Sequence, residues 1–187
     1  ATVLISEPGT YVLSGDYTGQ VVVSSDADGQ VRLVLDDVDV TTDAGAAIDV
    51  QAADEALVIL ADGSSNTLSD ASSYADDADA NAALYSSADL TITGTGSLTV
   101  TGNGNDGIAS SDGLVIQSGT VTVDALDDGI RGKDYLVVRG GTLDVTAGGD
   151  GLKSDEDGDA DLGYVLVAGG AITVDAEGDA VTAETDA

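Results

Sequence analysis

The chain of 187 residues carries 35 Asp and Glu against 5 Lys and Arg, a formal net charge of −30. A field of that sign repels polyphosphates and anionic bilayers, which argues against nucleic acid and anionic membrane surfaces as partners. With no cysteine there are no disulfides and no thiolate metal sites, and no apolar run is long enough to span a bilayer.

The apolar residues are almost all Val, Leu, Ile and Ala, with no Phe, Trp or Met, and Gly is abundant at 25. Small branched side chains among turn residues point to short strands rather than helices. In chain order, the first predicted strand lies within Ala1 to Ser6, where the chain opens as a secreted product would after signal cleavage. The runs YVLSG, QVVVSSDADG, VRLVLDDVDV and ALVILADGSSNTL follow, each closed by polar turns. They predict two or three irregular repeats over residues 1–89. The stretch YADDADANAALY then gathers Asp76, Asp77 and Asp79 into a candidate cation cluster.

From Leu90 the repeats become regular. They read LTITGTGSLTVTGNGNDGIASSDG, LVIQSGTVTVDALDDGIRGKDY, LVVRGGTLDVTAGGDGLKSDEDGDADLGY and VLVAGGAITVDAEGDAVTAETD, starting at Leu90, Leu114, Leu136 and Val165. Starts lie 24, 22 and 29 residues apart, the last spacing stretched by an acidic insertion at 155–161. Each repeat holds three alternating runs, so equivalent residues should stack into aliphatic ladders. Leu90, Leu114, Leu136 and Val165 form the first, Leu98, Val121, Leu143 and Ile172 the second, and Ile108, Ile130, Leu152 and Val181 the third. The predicted fold is all-β: a right-handed, single-stranded parallel β-helix, a solenoid of about six or seven coils with three short strands each, in one domain over 1–187. A β-sandwich would show hairpin turns rather than near-identical tandem units.

All but five of the acids are Asp, the exceptions being Glu7, Glu55, Glu156, Glu177 and Glu184. Asp106, Asp128, Asp150 and Asp179 each precede the third run, in NDGI, DDGI, GDGL and GDAV, and should form a column. Carboxylates about 4.8 Å apart repel unless they are hydrogen-bonded or share a cation. Calcium, with oxygen ligands at about 2.3–2.6 Å, fits between them. The alternative is that Asp-Gly simply makes the turn and the carboxylate caps backbone amides. In DEDGDAD, Asp155, Asp157, Asp159 and Asp161 alternate around Gly158 in the manner of a calcium loop, although the order departs from the EF-hand string. Several calcium ions are therefore expected, and the lack of His and Cys argues against zinc or copper. A solvated acidic surface adapted to high salt is the alternative account of the charge, but it would not place the acids periodically.

The strings DDGIRGKDYLVVRGGTLDVTAGGDGLKSD and ISEPGTYVLSGDYTGQ resemble a bacterial family of carbohydrate-binding domains, over essentially the whole chain. The resemblance implies a pectate-lyase-like β-helix that contains calcium and binds cellulose or acidic sugars. It carries calcium binding to Asp128, Asp150 and the 155–161 loop. Relatives commonly read DGIKSKD where this chain reads DGIASSD at Asp106 to Asp112, which weakens an inherited site for anionic sugars.

Three functions follow as expectations. The first is a non-catalytic, extracellular or cell-surface calcium-binding matrix protein that self-assembles head to tail into filaments, because no capping helix is legible at either terminus. The second is a calcium-dependent module for acidic polysaccharide or cellulose, with Arg131, Lys153, Tyr135 and Tyr164 as candidate sugar contacts. The third is a polysaccharide lyase using Arg131 or Lys153 as base; these two more simply neutralise the neighbouring acids, so no enzyme is expected.

Overall fold

The computed structural model describes residues 1–185; positions 186 and 187 of the expected domain lie outside the described residues. In the irregular half the strands are β1 (Thr2–Ile5), β2 (Gly9–Thr18), β3 (Gln20–Ser24), β4 (Gln30–Thr41), β5 (Ile48–Ala52), β6 (Glu55–Leu60), β7 (Ser65–Ser69) and β8 (Ala82–Ser86). The regular half begins with β9 (Leu90–Gly94), β10 (Ser97–Gly102), β11 (Asp106–Ser110), β12 (Gly113–Ile116), β13 (Thr120–Ala125) and β14 (Ile130–Gly132). It continues with β15 (Tyr135–Val138), β16 (Thr142–Ala147), β17 (Leu152–Ser154), β18 (Tyr164–Val167), β19 (Ala171–Ala176) and β20 (Val181–Ala183). Alternation does the local work. In β13, TVTVDA, every second side chain is buried, the period that a pleated strand with one inward face requires.

Every pairing among the described residues is parallel. The expected aliphatic ladders fall in register: Leu90 on Leu114, Leu136 and Val165; Leu98 on Val121, Leu143 and Ile172; Ile108 on Ile130, Leu152 and Val181.

The expected single-stranded β-helix with coils of three short strands is not what these ladders build. The strands lie in two sheets, one of eight in the order β1-β3-β5-β8-β11-β14-β17-β20 and one of twelve. The larger sheet runs β18-β15-β12-β9-β6-β4-β7-β10-β13-β16-β19, with β2 paired to β4 off this path, and it curls into a half-barrel. Each regular repeat thus gives one strand to the smaller sheet and one to each arm of the larger. The strand β4 joins the arms: its first half pairs with β6 and its last residues with β7. The run VRLVLDDVDV, read from the sequence as one strand, does form one, but it is not straight. Asp37 adopts a left-handed φ of 55°, tolerated by a short polar side chain, and the strand bends there without ending. One of its carboxylate oxygens accepts the Ser65 amide of β7 at 2.9 Å, which ties down the bend.

One aliphatic cluster fills the space between the sheets from Ile5 to Val165, with no aromatic residue among its fully buried members. A second, small cluster of Ala46, Ala82, Tyr85 and Ala109 lies outside it, with Ala80 packed against it. The connection 70–81 between β7 and β8 therefore folds over the outer face of the eight-stranded sheet. No helix among the described residues is long and apolar enough to cross a membrane.

Candidate functional site

The aspartate column forms, and a backbone relay organises it. An oxygen of Asp106 accepts the Asp128 amide at 3.2 Å, one of Asp128 accepts the Asp150 amide at 2.8 Å, and one of Asp150 accepts the Asp179 amide at 2.9 Å. The glycine after each of the first three acids lets the repeats approach. A Cβ on Gly107, Gly129 or Gly151 would meet Cγ1 of Val123, Val145 or Val174 at 2.3, 2.3 and 2.2 Å. Asp106 and Asp128 are buried, at 2% and 6% exposure, whereas Asp179 is exposed.

Asp106 also accepts from Asn81 at 3.1 Å and Asn105 at 3.2 Å. Burial first, and then the Asp128 charge, push its carboxyl up to about 7, against the amide bond from Asp128 that pulls it down. At the other end the Asp179 amide, with Lys153, outweighs burial and holds Asp150 below the usual carboxylate range.

Asp127 completes this site, and sequence reasoning missed it. Single carboxylate oxygens of Asp106, Asp127 and Asp128 lie within 4.8 Å of one another. One ion at about 2.4 Å from each oxygen spans such a separation, and the donor set consists of hard oxygens. The signal was the doubled acid of DDGI, where the neighbouring repeats have Asn105 or Gly149.

Arg131 and Lys153 are neighbours across β14 and β17. Nζ of Lys153 lies 2.8 Å from Oδ2 of Asp128 and 3.4 Å from Oδ2 of Asp150, while Nε of Arg131 lies 2.9 Å from Oδ2 of Asp155. Burial works against both cations. The bond and charge of Asp128, then of Asp150, outweigh it at Lys153, and those of Asp155 do so at Arg131, so both sit above their ordinary values.

The loop around Gly158 does not close on a point. Asp155 is engaged by Arg131, Glu156 pairs with Lys133 at 3.0 Å, and Asp159 accepts the Asp161 amide at 2.9 Å. Asp157, Asp159 and Asp161 are exposed and join no three-acid group among the described residues. Asp76, Asp77 and Asp79 are likewise exposed, on the 70–81 connection.

Tyr135 and Tyr164 are adjacent on β15 and β18, and their rings stack at 5.7 Å between centroids and 18° between planes. The Tyr135 ring lies over Gly113, where a Cβ would come 2.0 Å from Cζ, and its hydroxyl donates to Asp89 at 3.2 Å. Beside it runs a groove of about 350 Å³ floored by Leu57, Thr91 and Val115 and bordered by Gln117 and Arg139. Arg139 is exposed and makes no salt bridge among the described residues. The four candidate sugar contacts therefore divide: the basic pair belongs to the eight-stranded sheet and the tyrosines to the twelve-stranded one.

A family model described as carbohydrate-binding domain-containing protein matches residues 1–187. The chain belongs to the carbohydrate-binding domain family. A protein of that name from Acetivibrio thermocellus is 39% identical over 128 residues, which cover 66% of this chain and 45% of that relative. The chain thus spans less than half the length of the relative. Among solved structures, a gadolinium derivative of the polysaccharide lyase-like protein from C. thermocellum superposes with a TM-score of 0.93 at 37% identity. That match covers 99% of this chain and 79% of the other.

Proposed function

We propose that this chain is a non-catalytic, extracellular polysaccharide-binding module whose sugar chain lies across the stacked Tyr135 and Tyr164 rings, with calcium held in the aspartate column. The tyrosine shelf carries the reading. The two stacked rings border a largely polar groove and present their edges to it, and Asp89, Gln117 and Arg139 stand in the groove to orient hydroxyls or a carboxylate. Family membership supplies the ligand class.

The solved relative is called polysaccharide lyase-like, and the basic pair argues against extending that activity here. A general base must shed its proton near neutral pH. Lys153 and Arg131 are tied to carboxylates that favour their charged forms. Calcium is proposed at Asp106, Asp127 and Asp128, where three hard oxygens converge. The ion would neutralise the crowded carboxylates and fix the repeats that carry the shelf.

The test is binding to insoluble cellulose and to polygalacturonate, with and without chelator. Tyr135→Ala and Tyr164→Ala should weaken retention about tenfold while the far-ultraviolet spectrum stays that of the parent. Retention unchanged in both variants would remove the shelf from the reading.

End-to-end assembly is a second reading, favoured by apolar residues at the outer strands. Leu4 is 64% exposed on β1 and Leu166 50% exposed on β18. Filaments by negative stain are the expected result at high protein concentration with calcium; dispersed monomers would end it.

A further inference from the structure

The outer face of the eight-stranded sheet carries a second recess, remote in character from the tyrosine shelf. The connection 70–81 arches over β5 and β8 and encloses a cavity of about 610 Å³. Its wall includes Asp49, Gln51, Tyr74, Asp79, Tyr85 and Ser111, and no Lys or Arg lines it. Asp49 and Tyr85 are register neighbours across the two strands.

Asp49 is only 7% exposed. One carboxylate oxygen accepts from Gln51 at 2.7 Å, and the other is buried with no hydrogen-bond partner. A buried carboxylate without a counter-ion is costly, and a fold that retains one has not arranged it for stability. The nearest cation along the same face is Arg131, beyond Ala109, and its guanidinium is engaged by Asp155. Asp79, hanging from the overlying connection, adds a second negative charge rather than relieving the first. Tyr85 spends its hydroxyl on Ser111 at 2.6 Å, and Tyr74 gives its own to Asp70 at 2.5 Å. The tyrosines therefore offer the cavity ring rather than hydroxyl.

Carboxylate charge and aromatic ring around an enclosed space is the chemistry that receives an organic ammonium. We propose that this cavity binds an amino sugar bearing a free, protonated amine, with Asp49 and Asp79 supplying the counter-charge and the tyrosine rings the walls. The inference rests on the reading of the chain as a sugar binder and adds a second ligand class to it. Uronates, which carry a negative charge of their own, are repelled here.

The probes are the β-1,4-linked glucosamine disaccharide and its fully N-acetylated counterpart, which keeps the sugar rings but lacks the charge. Calorimetry on the intact chain should show binding of the first and at least tenfold weaker binding of the second. Asp49→Asn should lose about tenfold in affinity for the amine while melting at the same temperature as the parent or higher. A purely structural Asp49 would instead lower the melting temperature. Asp157→Asn, which removes one exposed charge from the acidic loop and does not line the cavity, serves as the control and should bind as the parent does. The proposal is overturned by equal binding of the two disaccharides, by no binding of the amine, by parental affinity in Asp49→Asn, or by an equal loss in Asp157→Asn. Retention on polysaccharide through Tyr135 is measured separately, so a failed shelf and a failed cavity are told apart.

Discussion

At the scale of the residue, Asp106 decides the most. Its folded pKa of about 7 stands above the unfolded value near 3.8, so the native state holds the proton more tightly than the unfolded chain. Below both values the group is neutral in either state and contributes nothing. As pH rises between them the unfolded chain ionises first, stability falls, and the loss is complete above the folded value. Asp150 runs the other way: its contribution is fully present above the ordinary carboxylate pKa and is lost as pH falls from there through its lowered folded value. In chelator, the melting temperature should therefore decline from pH 5 to pH 8, and Asp106→Asn should level that decline and exceed the parent at pH 8. A variant that declines as steeply as the parent would place the cause elsewhere. The column was legible in the sequence because Asp106, Asp128 and Asp150 recur before the same glycine. Asp49 was not legible: AAIDVQ reads as an ordinary alternating strand, and the burial of its acid comes from the distant 70–81 connection.

At the scale of the element, the short strands from β9 to β19 were readable because β-branched residues alternate inside near-identical repeats. The long strand β4 was readable too, as the run VRLVLDDVDV, but its bend at Asp37 was not, because it is held by the Ser65 amide of a later strand. Close approach between repeats sets the tolerance to substitution. In Gly129→Ala the new methyl would meet Cγ1 of Val145 at 2.3 Å and the Gly151 carbonyl oxygen at 2.7 Å. A loss of about 2–4 kcal/mol in urea unfolding is expected there. Gly15, with nothing within 4 Å and a φ of +79°, is strained by alanine only through its backbone, at a cost of about 1 kcal/mol. Equal losses at the two sites would show that the repeats are not packed as tightly as described.

At the scale of the whole molecule, a formal charge of −30 makes the compact state repel itself, and monovalent salt should raise the melting temperature by screening. Calcium should raise it further at matched ionic strength, and the increment should grow with its concentration, as for an ion bound only by the native state. Sodium matching calcium throughout would remove the ion from the column. The ladders and their register followed from the repeats alone. Their union into a twelve-stranded curled sheet did not, because it depends on the single strand β4 in the irregular half.

The relay from amide to carboxylate has a direction. Asp128 both gives its N–H to the acid before it and takes the N–H of the acid after it, and Asp150 does the same. A member of such a series carries its own plug and its own socket. Lengthening the molecule by duplicating residues 127–148 would therefore leave neither a stranded donor nor a stranded acceptor in the column, and the chain can grow or shrink by whole units without redesign at the joints.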